Sequence, residues 1–117
     1  MQTNQVKIEI TFGLEFTRDG ERISATRRAV GLTCITNVAV ALFEGYTLHE
    51  GSGGWLDKPE MKGLGEKGKL VTEKTATIIL YAERLDERVP SVVRTIKDTL
   101  VQKCVAVAIT PVNFNIR

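Results

Sequence analysis

The sequence predicts an α+β sandwich, one antiparallel sheet with two helices against one of its faces. Three observations carry this. Short runs alternate apolar and polar residues with a period of two, as half-buried strands do. Two longer runs repeat apolar residues at helical spacing. The two kinds of run follow each other in the order strand, helix, strand, strand, helix, strand.

In the first strand Val6, Ile8, Ile10 and Phe12 alternate with Lys7, Glu9 and Thr11. Arg18-Asp19-Gly20-Glu21 is a turn. Ser24 is the expected N-cap of the first helix, because its hydroxyl can accept from an orphan backbone N–H. From Ala25 to about Phe43 the stripe expected to face the core is Ala29, Leu32, Ile35 or Thr36, Ala39 and Leu42. Gly45 is the expected stop, since glycine tolerates positive φ. Tyr46 to Gly51 alternates again as a second strand. Residues 56–70 carry Gly63, Gly65 and Gly68 with four lysines and read as a flexible basic loop. Val71 to Tyr81 is a third strand. Asp86 opens a second helix, with Pro90 tolerable only in its first turn. Its stripe is Val89, Val92, Val93, Ile96 and Leu100. Lys103 to Ile109 is the last strand, ended by Pro111, and Val112 to Ile116 is a tail suited to an edge strand or to docking on a neighbour.

Two right-handed crossovers around a central hairpin make this a ferredoxin-like sandwich with strand order 4-1-3-2. With 117 residues the chain is expected to be a single domain, 1–117. Val105, Val107 and Ile109 are expected to point at the helices with the first strand's apolar residues. Glu9, Thr11, Ala106, Ala108 and Thr110 then lie on the open face, with part of Thr75, Thr77, Ile79 and Tyr81. That face is too poor in charge for a solvated sheet, so another subunit is expected to cover it.

Composition narrows the function classes. A net charge of +2 gives no bulk call for nucleic acid or anionic membrane. Aromatic residues are few and not interleaved with basic ones, which argues against a single-strand platform. Cys34 and Cys104 fall in apolar runs and read as buried free thiols. Two distant thiols and one histidine make a poor metal set. No cofactor motif is present. The N-terminus lacks the apolar core of an export signal, so the expected compartment is the cytoplasm.

The chemistry-bearing residues gather in one stretch. Gly45 to Trp55 and Thr72 to Thr75 hold the only His, the only Trp and a glycine cluster. The expected ligand site is Tyr46, Thr47, His49, Gly53, Gly54, Trp55, Lys69 and Glu73, with the lysine loop as a lid. Gly51-Ser52-Gly53-Gly54 can present N–H groups to a phosphate as a nest, or be a bulge or twisted strand end. Trp55 can stack on a base or plug the core. His49 can act as a general base, but has no nucleophile or orienting carboxylate assigned to it. Glu50 and Glu73 can pair as acid and base across the hairpin, or be solvated ions.

Taken in order, Phe12-Gly13, Gly45-Tyr46-Thr47, Gly53-Gly54-Trp55, Glu73 and Gln102 before Val105 to Pro111 resemble a bacterial domain-of-unknown-function family. The similarity runs over nearly the whole chain and implies the fold without an activity. The loop between Trp55 and Glu73 is longer and more basic than that family's pattern. The layout is also similar to the PII-like signalling proteins, ferredoxin-like trimers that bind nucleotides between subunits. That similarity implies an oligomer with a ligand site beside the loop joining strands two and three. No PII nucleotide motif is present.

The leading reading is a non-enzymatic homo-oligomer, a dimer or trimer, that binds or sequesters a small anionic, nucleotide-like ligand. The alternative is a small cofactor-free enzyme, isomerase or monooxygenase-like, using His49 or Glu73. A third is a pure assembly module.

Overall fold

A computed structural model describes residues 5–57, 69–83, 86–102 and 105–112. The elements are β1 (Gln5–Gly13), α1 (Ala25–Phe43), β2 (Thr47–Asp57), β3 (Lys69–Glu83), α2 (Val89–Leu100) and β4 (Ala106–Pro111). The sheet is antiparallel in the order β2-β3-β1-β4, the expected ferredoxin-like arrangement. Among the described residues no helix is long and apolar enough to cross a membrane.

The alternation in β1 does what its period demands. Val6, Ile8, Ile10 and Phe12 are buried, and pair with Ala82, Leu80, Ile78 and Ala76 of β3 on the same face. Val92, Ile96 and Leu100 of α2 close over them as expected. Ser24 caps α1 by accepting from the Arg27 amide at 3.1 Å. Asp86 does not begin α2. Its carboxylate accepts from the Arg88 amide and guanidinium just ahead of the helix, and this bonding holds its pKa down.

Several expectations need correction. The inward stripe of α1 is Gly31, Ile35 and Ala39, supported by Leu32 and Val38, while Ala29 is exposed. Ile35, Ala39 and Leu32 keep their expected inward place, and Gly31 joins them because α2 crosses there, where a Cβ on it would lie 2.5 Å from Leu100 Cδ2. Glu44, not Gly45, takes the left-handed residue at the end of α1, with φ 65°. β2 runs on through the glycine cluster to Asp57, and β3 starts at Lys69, so Leu56, Asp57, Lys69 and Leu70 are strand rather than loop. Gly63, Gly65 and Gly68 lie outside the described residues, as do Cys104 and the tail beyond Val112. Cys34 is half-buried rather than buried. Val107 and Ile109 share the face of Ile10 and Ile8 but are 43% and 56% exposed, because the helices stop short of this edge strand.

β1 ends at Gly13 opposite Thr75, whereas β2 pairs with β3 as far as Asp57 and Lys69. The hairpin therefore projects past β1 as a two-stranded arm. Glu73 sits at the base of this arm.

Candidate carboxylate site on the open sheet face

Register decides which of the expected residues meet. Pairs in a ladder share a face and successive residues alternate. Thr47, His49, Gly51 and Gly53 of β2 are opposite Ile79, Thr77, Thr75 and Glu73, all on the face away from the helices. Glu50 pairs with Ala76, a core residue, so it lies on the other face from Glu73. The two carboxylates cannot form an acid-base pair. Four residues separate His49 from Gly53, or about 13 Å along a strand, so His49 is remote from Glu73 as well. His49 is exposed and makes no hydrogen bond or ion pair among the described residues. Tyr46 and Thr47 lie farther along the same strand end, both exposed. Gly54 alternates to the helix side. In the backbone ladder Trp55 pairs with Val71 and Lys69 with Asp57. The glycine run is ladder-paired strand without a bulge, so it does not form the phosphate nest.

What the fold does assemble is a pocket for one carboxylate. Glu73 is buried to 6% exposure, and its Oε2 has no hydrogen-bond partner among the described residues. Gly13, and not Gly53, whose added Cβ would meet Thr75 Cγ2 instead, makes room for it. Gly53 stands directly across the ladder, and at Gly13 a Cβ would lie 1.6 Å from Glu73 Oε1. The same point is 3.1 Å from Gln102 Oε1. Gln102 thus closes the site from the α2 side. Its Oε1 accepts from the Gly13 amide at 3.1 Å, and its Nε2 donates to the Phe16 and Leu100 carbonyls. Glu15 lies alongside, its Oε1 accepting from the Lys74 amide at 2.9 Å. Burial, and then the Glu15 charge, push the Glu73 pKa up.

Gly13, Glu15 and Gln102 were not among the expected ligand residues. Gly13 and Gln102 are 89 positions apart, so only the fold brings them together. Their signal in the sequence was the Phe-Gly step and the lone Gln before the last apolar run.

A carboxylate without a donor, held away from water, attracts a cation or a group rich in N–H or O–H donors. It repels a phosphate placed beside it. Among the described residues no three His, Cys, Asp or Glu side chains are grouped to hold a metal ion. A separate open groove lies on the helix face between α2 and β4, lined by residues such as Val89, Val93, Lys97 and Val107, and it contains none of the expected site residues.

No family model matches the chain, so the domain-of-unknown-function resemblance gains no support. No curated protein matches either. Solved structures do match. A phage SAM lyase in complex with S-methyl-5'-thioadenosine is similar over 95% of this chain and 84% of its own, with a TM-score of 0.64 and 17% identity. The periplasmic divalent cation tolerance protein CutA from Archaeoglobus fulgidus is similar over 97% of this chain and 88% of its own, at TM-score 0.54 and 11% identity. GlnK of B. subtilis covers 90% of this chain and 83% of its own, at TM-score 0.44 and 15% identity. At these identities the likeness fixes the ferredoxin-like fold alone.

Proposed function

We propose that this protein is a homo-oligomer that binds a small nucleotide-like molecule on the open sheet face, anchored by Glu73. The observation that carries the reading is the buried carboxylate with an orphan oxygen. Leaving such a group unpaired costs about 1–3 kcal/mol of stability, so a fold that keeps it gains something else from it. Ribose hydroxyls or a base amino group supply the donors it lacks. An anionic portion of the ligand would lie away from Glu73 and Glu15. The exposed Ala106, Ala108 and Thr110 beside Thr11 support burial of the rest of this face by a second subunit, which would also close the ligand site.

A second reading, an enzyme, is favoured by the sign of the site. A sulfonium nucleoside such as S-adenosylmethionine carries the positive charge that an unpaired carboxylate stabilises. The phage SAM lyase with the same fold is complexed with S-methyl-5'-thioadenosine, a nucleoside thioether. On this reading Glu73 holds the sulfonium side of the substrate, and His49 has no role. A pure assembly module is disfavoured, since it has no use for a destabilising buried carboxylate.

Native mass spectrometry of the purified protein gives the subunit count and any retained small molecule. Trp55 fluorescence then reports titrations with nucleotides, ADP-ribose, S-adenosylmethionine and S-methyl-5'-thioadenosine. Binding lost in Glu73→Ala supports the site. No response to the whole panel by fluorescence or calorimetry sinks the reading. Release of S-methyl-5'-thioadenosine from S-adenosylmethionine, absent with Glu73→Ala, would establish the enzyme over the binder.

A further inference from the structure

β2 carries glycine at positions 51 and 53, where a half-buried strand favours β-branched side chains. Glycine inside a strand weakens it, and marks a bulge, a bend or the close approach of a ligand or another backbone. β2 pairs with β3 residue for residue, so there is no bulge. Gly51 has no positive φ. Among the described residues the one atom within 4 Å of a Cβ placed on it is Thr75 Oγ1, at an ordinary 3.9 Å. At Gly53 the Thr75 methyl, 3.1 Å from such a Cβ, gives the fold a reason for glycine. At Gly51 the fold gives none.

The ladder register sets what surrounds this bare position. Gly51 faces Thr75 and Thr75 faces Gly13, so the three form one row across the open face, about 10 Å from end to end. The neighbouring row on one side is closed by the Thr11–Thr77 hydroxyl pair at 2.8 Å. Glu73 belongs to the row on the other side, yet its Oε1 lies where a Gly13 Cβ would be. The carboxylate therefore ends in the row of Gly51. From Gly13 outward the row presents a carboxylate with an unpartnered oxygen, then the Thr75 hydroxyl, then open space over the Gly51 backbone. The Thr75 hydroxyl makes no hydrogen bond among the described residues.

A flat ring fits this order. Laid over Gly51 it rests on peptide planes, and a side chain there would lift it. Its edge then reaches Thr75 and Glu73. A carboxylate only accepts, whereas a hydroxyl donates or accepts. The complementary edge carries an amino donor for Glu73 beside a ring nitrogen for Thr75.

The geometry points to Gly51, Thr75 and Glu73 as the subsite for an amino-bearing heteroaromatic ring, the base of a nucleoside. This rests on the reading of a ligand anchored by Glu73, and assigns the base rather than the ribose to that carboxylate. Gly51 and Thr75 become specificity-determining residues.

Calorimetric titration of the wild type with adenosine, guanosine, cytidine and purine riboside tests the assignment. Purine riboside keeps the ring and the sugar but has no amino group. At least one of the three amino nucleosides should bind, and purine riboside should bind tenfold or more weakly than the best of them. Equal affinity overturns the inference. So does no binding by any of the three, even where another compound bound through Glu73 keeps the proposed function standing. Gly51→Val supplies the second measurement. The open space and the strand preference for valine should keep its thermal melt at or above the wild-type value, with an unchanged light-scattering mass. Its affinity for the nucleoside should fall tenfold or more. Unchanged affinity in the folded variant, with binding still lost in Glu73→Ala, overturns the ring subsite and leaves the anchor. A changed mass would mean that Gly51 admits another subunit's backbone, and would overturn it as well.

Discussion

Adding one methyl group at Gly13 tests the carboxylate pocket directly. An alanine Cβ there would sit 1.6 Å from Glu73 Oε1, against an ordinary contact of 3.4 Å or more. The carboxylate would have to retreat by about 1.8 Å, the difference between those two distances. Gly13 has no positive φ, so the effect is steric and not conformational. Overfilling a packed site costs about 1–3 kcal/mol, and we expect Gly13→Ala to fall in that range. The cost should depend on Glu73. In a Glu73→Ala background the crowding atom is gone, leaving Gln102 Oε1 at 3.1 Å, and the same change should be nearly neutral. Urea titrations of the four proteins form a double-mutant cycle, with an expected coupling of at least about 1 kcal/mol. Additive effects, or a Gly13→Ala cost under about half a kcal/mol, would mean that Glu73 does not lie over Gly13.

Other consequences follow from the same geometry. Glu73 has a raised pKa in the folded state, so folding favours its protonated form. Stability should fall as pH rises from the ordinary carboxylate value, 4.5, through the raised one. Glu73→Gln should flatten that slope in thermal melts and stabilise the protein at neutral pH by about 1–3 kcal/mol; an unchanged pH profile would count against the burial. Ile96→Ala removes a fully buried side chain of α2 and should cost about 2–5 kcal/mol by urea titration. Ala108→Glu puts a charge on the open face opposite Glu9, and light scattering should show dissociation if that face is shared between subunits.

Element order, sheet order and the core of β1, β3 and α2 were all legible, because each rests on a side-chain period that local sequence displays. The misreadings have physical causes. β2 looked short because glycines carry no side chain with which to alternate. In the α1 stripe Ile35 and Ala39 were legible, but Gly31 was missed because a glycine at the point of close approach to Leu100 does not look like a core residue. Glu50 and Glu73 were open to pairing or to being solvated ions, and the parity of the hairpin, which sends them to opposite faces, rules out the pair. Glu73 itself was legible as a candidate. Its burial was not, since that depends on Gly13 and Gln102, which only the closed fold brings to it.

The most direct test of the central claim is calorimetric titration of the wild type and Glu73→Gln with S-adenosylmethionine, S-methyl-5'-thioadenosine and a set of nucleotides. The replacement keeps the shape of the side chain and removes only its charge. Binding of at least one of these compounds to the wild type, weakened tenfold or more in Glu73→Gln, is the result expected from an anchoring carboxylate. Equal affinity in both proteins, or no binding to a folded wild type, would contradict it.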